Sequence, residues 1–299
     1  MKLVVAKFGG SAIGIDGISI PLIIDRINDL KKDSKIIAVF SAPLTTQNGK
    51  KCSLTDVILE QGRSVEKGTK ATLDKVKSCY QKIIDLFLKK AEKALEEALE
   101  KKEFAEEIRS RSLAFSGEIL MSHVMKYILK SNGVKTDAVS YDDWPIITDY
   151  NIESTNFLAA KSRENMDKTA KLVEENEVVT IGGFIGKTPD GVTTTYERGG
   201  SDRTAADLGI LFHKKYDTRI DFEKDSSVVS ADPKIVETGL TEVDQLSYNE
   251  ARLAGMFGMK ILDPIAIKEI VENGVDMPII VTNMNNPSKT TIIKRIPDS

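Results

Sequence analysis

The feature that most constrains this chain is a series of short, uninterrupted apolar runs, several of which end at glycine or serine. Such runs, rich in valine and isoleucine, are typical of strands that are buried on both faces. They occur at residues 3–6, 36–40, 178–181, 279–282 and 291–293. Because longer helical patterns separate them, the sequence predicts an α/β fold. We expect a three-layer αβα sandwich around a mostly parallel central sheet.

Two longer segments have helical periodicity of different kinds. Residues 18–30 place isoleucine or leucine at the core-facing positions from Ile20 to Leu30, which predicts an amphipathic helix. Residues 66–112 are rich in Lys, Glu, Ala and Leu, with charges that could pair four residues apart. We interpret this segment as a helical insertion packed on the body of the domain. A partner-binding coiled coil is the alternative.

Composition limits the classes of function. The 299 residues are 41% hydrophobic, enough for one large core or two fused lobes, and the net charge of −3 does not indicate a nucleic-acid or membrane partner. No apolar run of 18 residues and no secretory signal is apparent, so we expect a cytoplasmic protein. Two cysteines, Cys52 and Cys79, fit a reducing compartment. With only His123 and His213 available, we expect no protein-bound metal and no histidine-based triad.

A glycine loop follows the first apolar run. Lys7 precedes Gly9, Gly10 and Ser11. Glycines let backbone N–H groups approach an anion closely, and the Lys7 ammonium could neutralise a phosphoryl group during transfer. The pattern is neither a Walker A loop nor the GxGxxG of dinucleotide-binding folds. Taken alone, it is also compatible with a simple tight turn.

A second loop, residues 197–206, is more specific. It reads ERGGSDRTAA and comes directly before a helical pattern. Arg198 can hold a carboxylate through two hydrogen bonds, and Asp202 can accept a hydrogen bond from an ammonium group. Ser201 could instead cap the following helix, and Arg198 with Asp202 could form a surface ion pair of little energetic value.

Together, these loops resemble the amino-acid kinase superfamily and, within it, the aspartate kinases. VAKFGGSA is similar to the family's KFGGTS loop, AVFSAP to its VVSA strand end, LTDVI to its Thr-Asp stretch and SADPKIV to its TADPRIV segment. Residues 115–124 resemble the helix that carries a substrate-binding Glu. Residues 182–209 resemble the signature GFxG…GxxTTLGRGGSDxTA, and residues 246–264 resemble the ISYxEAxELAxFGAKVLHP helix.

The resemblance implies an activity and an organisation. The activity is ATP-dependent phosphorylation of the side-chain carboxylate of L-aspartate to 4-phospho-L-aspartate, the first step of the lysine, threonine and methionine pathway. Mg²⁺ would be bound mainly through the nucleotide phosphates. A single amino-acid kinase domain would span residues 1–299, with an amino-acid-binding lobe over about 1–205 and a nucleotide-binding lobe over about 206–299. We expect no ACT-type regulatory domain and a homodimer, and a separate regulatory subunit stays an open alternative.

The resemblance also assigns roles to residues. The catalytic residues would be Lys7, Asp202 and Lys260. Aspartate would be bound by Ser41, Thr55, Glu118, Arg198, Ser201 and Asp202. The nucleotide and its phosphates would be bound by Lys7, Gly9, Gly10, Ser11, Gly199, Gly200, Lys224, Val229, Lys234 and Lys260.

The chain departs from the family at three places. Residues 223–234 replace the Thr-Asp pair, the Gly and the Tyr of TDVDGVYTADPR, so the preference for ATP is less defined than the preference for aspartate. The family's His in KVLHP is Asp263, and the polar insert TTQNGKKC at residues 45–52 is interpreted as a surface loop rather than a lid. Two alternatives stay open. One is a kinase for glutamate, N-acetylglutamate or a nucleoside monophosphate, and the other is a non-catalytic amino-acid sensor or partner subunit.

Overall fold

The computed structural model describes residues 1–68, 74–87, 115–197, 199–232, 235–236 and 238–296. The strands in these residues are β1 (Lys2–Phe8), β2 (Lys35–Phe40), β3 (Leu44–Gln47), β4 (Lys50–Ser53), β5 (Thr136–Ala138), β6 (Val178–Gly182), β7 (Ile185–Lys187), β8 (Thr193–Thr195), β9 (Asp217–Lys224), β10 (Gln245–Ser247), β11 (Ile279–Asn283) and β12 (Thr290–Lys294).

The helices in the same residues are α1 (Gly10–Ile13), α2 (Ile20–Leu30), α3 (Leu54–Glu66), α4 (Asp74–Phe87), α5 (Phe115–Ser131), α6 (Ala159–Glu164), α7 (Asp167–Glu175), α8 (Gly200–Phe212), α9 (Tyr248–Met256) and α10 (Pro264–Glu272). A short 3₁₀ turn covers Tyr141–Asp143. None of the helices in these ranges combines the length and the apolar character needed to cross a membrane.

An eight-stranded sheet forms the centre of the fold, in the order β10-β12-β11-β9-β1-β2-β6-β5. All neighbouring pairs in it are parallel except β11 and β12, which are antiparallel. Two small hairpins, β3–β4 and β7–β8, lie outside this sheet. The predicted α/β fold with a mostly parallel sheet is therefore confirmed.

The two faces of the sheet bury separate hydrophobic clusters, as the alternation along β1 shows. Leu3 and Val5 belong to the cluster that also contains buried residues of α8 and α10. Val4 and Ala6 belong to the cluster that contains buried residues of α2, α4 and α5. Helices thus cover both faces, and the three-layer arrangement follows because each buried strand needs apolar partners on both sides.

The predicted elements differ from the structure in several places. The helix expected over residues 18–30 begins at Ile20. In the central sheet, β5, β9 and β10 were not predicted, and neither was the hairpin β7–β8. The insert at residues 45–52 is a hairpin rather than a surface loop, because Asn48 and Gly49 adopt the positive φ angles, 51° and 73°, that a tight hairpin turn requires. Of the predicted helical insertion, α4 lies among the described residues and packs on α5, whereas residues 88–112 lie outside them.

A buried charge network explains why β9 does not read as an apolar strand. Asp221 and Glu223 are buried on the face of β9 that meets α2. Arg26 Nε donates to Glu223 Oε1 at 2.8 Å, and Arg26 Nη2 lies 3.4 Å from Asp221 Oδ2. Arg219 Nε completes the network at 3.0 Å from Asp221 Oδ1. Burial raises the pKa of Glu223 to about 7 even though the Arg26 charge opposes the shift.

We expect Arg26→Met to lower the free energy of unfolding by about 3 kcal/mol, because it leaves a buried carboxylate without its cation. The loss should be greater at about pH 8 than at about pH 6. The folded-state pKa of Glu223 lies above its ordinary value of 4.5, so this group favours the fold when protonated and that contribution fades as the pH rises towards 7. Urea unfolding at the two pH values measures both effects. The exposed pair Lys32–Asp29 supplies the control, since Lys32→Met should cost less than about 1 kcal/mol. Equal losses in the two variants would contradict the prediction.

Candidate active site

A cleft lies where β1, β2 and β6 end at neighbouring positions in the sheet. In parallel sheets this edge is the usual ligand site, because loops and helix N-termini converge there. The cavity has a volume of about 1200 Å³. The loop after β1, the start of α5 and the first turn of α8 contribute to its lining.

Lys7 and Asp202 join the sheet to helix α8 at the floor of this cavity. Lys7 Nζ lies 2.7 Å from Asp202 Oδ1, and the two side chains are 12% and 9% exposed. The backbone N–H of Asp263 donates to the other carboxylate oxygen at 3.0 Å. Burial alone would raise the pKa of Asp202, but the charges of Lys7 and Lys224 outweigh it and hold that pKa below its ordinary value. Asp202 is therefore an ionised carboxylate bound to a lysine.

Lys224 places a second cation near this pair. It ends β9, the strand beside β1, and its backbone lies opposite the loop that follows Phe8. Burial lowers the pKa of Lys224, whereas the charge of Asp202 acts in the opposite direction. The charges of two lysines therefore act on one carboxylate at the strand ends, although Lys224 is not among the residues that line the cavity.

Glu118 provides a carboxylate on the α5 side of the cavity. It lies in the first turn of α5, is 3% exposed, and accepts a hydrogen bond of 2.8 Å from Thr55 Oγ1 on Oε1. The other oxygen, Oε2, is buried and has no hydrogen-bond partner within the part of the chain that the structure describes. Burial raises the pKa of Glu118 to about 8. Because Glu118 also lines the cavity, this oxygen is suited to accept from a cationic ligand.

Ser41 and Ser201 link the end of β2 to the first turn of α8. Ser41 Oγ donates to Ser201 Oγ at 3.0 Å. Gly183 makes this approach possible, since a Cβ at that position would lie 2.5 Å from Ser201 Oγ. The Gly182-Gly183 pair after β6 is therefore required by close packing on α8 and α5 rather than by flexibility.

The two glycine loops face each other across the cavity. Gly10, Ser11, Gly199 and Gly200 all line it. Gly199 has a φ of +92°, and a Cβ there would lie 2.2 Å from Asp263 Oδ2, so any other residue would clash and be strained. Gly9 lies beside Lys7, where a Cβ would lie 3.0 Å from Nζ.

The structure does not bring every expected site residue to the cavity. Lys260 is exposed and is not among the residues that line the cavity. Val229 pairs with Glu242 in an isolated bridge, also away from the lining. Arg198 and Lys234 lie outside the described residues.

Several cavity residues were missed by the sequence reasoning. Tyr196 directly precedes the loop of residues 197–206 and Glu197 begins it, and this position was the available signal. Phe184 follows the Gly182-Gly183 pair and has a φ of +77°, a strained value for an aromatic residue of the kind that concentrates at functional sites. Glu153 carries no sequence signal. All four line the cavity.

Comparisons with known proteins agree with this geometry. A family model described as the amino acid kinase family matches residues 2–283. Aspartokinase 1 of Bacillus subtilis is 30% identical over 187 residues, covering 62% of this chain and 44% of that protein. The chloroplastic Aspartokinase 1 of Arabidopsis thaliana is 28% identical over 311 residues, covering 98% of this chain and 52% of that protein. The chain thus spans about half the length of these two curated relatives.

Two solved structures share the fold. E. coli aspartokinase III in complex with aspartate and ADP superposes with a TM-score of 0.79 at 23% identity, covering 99% of this chain and 65% of that one. Clostridium acetobutylicum aspartate kinase gives a TM-score of 0.75 at 23% identity, covering 100% of this chain and 64% of that one. With the family model matching nearly the whole sequence, the chain belongs to the amino acid kinase family.

Proposed function

We propose that the protein is an aspartate kinase, which transfers the γ-phosphoryl group of ATP to the side-chain carboxylate of L-aspartate and forms 4-phospho-L-aspartate. This reaction opens the lysine, threonine and methionine pathway. The observation that carries the proposal is the pairing, in one cavity, of a buried carboxylate with a free oxygen at Glu118 and a cationic floor at Lys7. The similarity to aspartokinases, one of them solved with aspartate and ADP, supports the same substrates.

The acceptor half of the cavity fits a free amino acid. The substrate ammonium group would donate to Glu118, whose orientation Thr55 fixes. Ser41, Ser201 and Asp202 would complete the polar wall around the substrate. Arg198, which would hold the α-carboxylate, lies outside the described residues, so this role stays a prediction from the family resemblance.

The donor half fits a phosphate chain. Gly10, Ser11 and Gly199 would offer backbone N–H groups to the phosphates, with Gly9 keeping the approach to Lys7 open. Gly200 lines the cavity, but its own N–H donates to Glu197 O at 2.9 Å. The N-terminus of α8 and the charge of Lys7 would add positive potential. As the family resemblance implies, Mg²⁺ would be held mainly through the phosphates and would neutralise their charge.

The chemistry needs no general base. The attacking aspartate carboxylate is already ionised at neutral pH, since its reference pKa is about 4. One of its oxygens forms the new P–O bond to the γ-phosphorus while the bond to ADP breaks, and the bonding electrons leave with ADP. The protein's contribution is positioning and charge neutralisation, chiefly by Lys7.

The remaining assignments stay predictions. They are phosphate or nucleotide contacts by Lys260, Lys234 and Val229, and the division into an amino-acid lobe over about 1–205 and a nucleotide lobe over about 206–299. A cytoplasmic location, a homodimer and a separate regulatory subunit also stay predictions.

A hydroxylamine-trapping assay tests the proposed function. With Mg-ATP, we expect the purified protein to form hydroxamate from L-aspartate, because hydroxylamine captures the acyl phosphate product. Glutamate and N-acetylglutamate serve as competing acceptors in parallel reactions. A nucleoside monophosphate is tested by release of ADP, because its product is a phosphoanhydride that hydroxylamine does not capture. Turnover of one of these acceptors without turnover of aspartate would overturn the substrate, and failure to bind any Mg-nucleotide by calorimetry would favour the sensor alternative.

We expect Lys7→Ala to lower kcat by about 10²-fold or more, because it removes the cation that would meet the transferring phosphoryl group. The Kd of aspartate, measured by calorimetry, should change by less than about threefold if Lys7 acts mainly on the transition state. Lys161→Ala is the matched control, since Lys161 is an exposed lysine that pairs with Glu164 and does not line the cavity. An unchanged kcat in Lys7→Ala would remove this residue from the chemistry.

Aspartate binding should strengthen with rising pH by nearly tenfold per unit until about pH 8. The free site holds Glu118 mostly protonated below its pKa of about 8, whereas an ammonium ligand requires the ionised carboxylate. Calorimetry in buffers of different ionisation enthalpy should show release of about one proton on binding near neutral pH. Glu118→Gln should bind weakly and lose this pH dependence. A pH-independent Kd in the wild-type protein would contradict the role of Glu118.

A further inference from the structure

Helices α8 and α10 bury a second polar cluster beneath the cavity, and the proposed reaction makes no use of it. Tyr196 Oη donates to Asp207 Oδ2 at 2.5 Å. Arg203 Nη2 and Nε lie 2.5 and 3.1 Å from Glu269 Oε1, and the Arg203 guanidinium lies 4.1 Å from the centre of the Tyr196 ring. All four side chains are buried. We call them the α8 cluster.

Two contacts hold the α8 cluster together. Arg203 and Glu269 form a buried ion pair. The Tyr196 hydroxyl donates to Asp207, and burial, reinforced by the Glu269 charge, raises the pKa of Asp207 well above its ordinary value. A partner lost from such a site leaves a buried polar group unsatisfied, which is costly and makes the arrangement specific.

Tyr196 connects this cluster to the cavity. Its backbone N–H donates to Phe184 O at 3.0 Å, and its Cβ presses on Gly200, where an added Cβ would lie 2.5 Å away. Gly200 begins α8, and Asp202 follows in the same turn. The phenol of Tyr196 thus ties the start of α8 to Asp207, which lies further along the same helix.

Glu269 ties α8 to α10 through Arg203, and the N-terminus of α10 in turn contacts the first turn of α8. Asp263, the N-cap of α10, donates its backbone N–H to Asp202. The first turn of α8 is therefore held from both sides, by the chain that enters it and by the neighbouring helix. The position of this turn decides where the Asp202 carboxylate meets Lys7. Because the two groups are 2.7 Å apart, a small shift of the turn would weaken their contact.

We propose that Tyr196 is a positioning residue, which through Asp207 and Arg203 holds the first turn of α8 so that Asp202 keeps Lys7 in place at the cavity floor. It does not touch the reacting atoms. The expected effect on kcat rests on the proposed function. The expected effect on the order of the first turn of α8 does not depend on any substrate.

Tyr196→Phe tests the inference, because it removes the hydroxyl and keeps the ring on which Arg203 stacks. We expect kcat for aspartate to fall about tenfold with KM for aspartate within about twofold, since a small displacement of Lys7 affects phosphoryl transfer more than binding. Hydrogen exchange, followed by mass spectrometry, should be faster in peptides covering Gly199–Asp202. Asp207→Asn, which keeps a neutral acceptor for Tyr196, should retain the wild-type exchange rate, whereas Asp207→Ala should match Tyr196→Phe.

Tyr248→Phe is the matched control. Tyr248, on helix α9, is also buried, and its hydroxyl donates to the backbone carbonyl of Met277 at 2.5 Å. Tyr248→Phe should lower the thermal midpoint of unfolding by about as much as Tyr196→Phe does. It should leave kcat and the Gly199–Asp202 exchange rate unchanged. The same fall in kcat in both variants, or unchanged exchange and kcat in Tyr196→Phe, would overturn the positioning role. If the wild-type protein forms no hydroxamate from aspartate, the proposed function fails, and the exchange comparison still decides the role of Tyr196.

Discussion

The ion pair between Lys7 and Asp202 is the interaction on which the rest of the site depends. It joins the central strand β1 to the first turn of α8, so the chemistry of the cavity and the packing of the domain share one contact. A lysine at this depth needs a carboxylate, and a carboxylate at this depth needs a cation, because neither is stable there alone. The charge of Lys224 also acts on Asp202 and, with that of Lys7, holds the pKa of this carboxyl below its ordinary value.

The two sides of the cavity present different charged groups. The floor carries the Lys7 ammonium, paired with Asp202, whereas the wall formed by α5 carries Glu118, whose burial disfavours its charge. A ligand with an ammonium group at one end and an anionic group at the other could pair with Glu118 and Lys7 at the same time. An amino acid with a second carboxylate has this distribution, and that agreement connects the fold to the proposed substrate more directly than fold similarity alone.

Much of the fold could be predicted from the sequence because its strands are apolar on both faces. Strand β1, for example, alternates Leu3 and Val5 with Val4 and Ala6, and each set enters a different cluster. Strand β9 could not be predicted, because Asp221 and Glu223 interrupt its apolar pattern. The distant Arg26, together with Arg219, makes these carboxylates compatible with burial. Such pairings over nearly two hundred residues are not visible in local periodicity.

The site residues also divide into those that the local sequence could predict and those that it could not. Residues near glycine loops, such as Lys7 and Asp202, could be predicted because loop chemistry is local. The resemblance to a family supplied Glu118, but its free oxygen became visible only in the structure. The α8 cluster was missed because Tyr196, Arg203 and Glu269 have no pattern in the sequence, and their relation exists only once two helices pack. Lys260 shows the converse, since its residue type and motif suggested a role and its exposed position does not bring it to the cavity.

The central sheet ends on both sides in a strand of three residues, Thr136–Ala138 at one edge and Gln245–Ser247 at the other. A strand that short exposes few unpaired N–H and C=O groups, so it offers little template for a strand from another molecule. Large parallel sheets assemble slowly from distant segments and risk aggregation while they form. In the folded molecule, the short edge strands therefore leave few backbone groups with which a strand from another copy could pair.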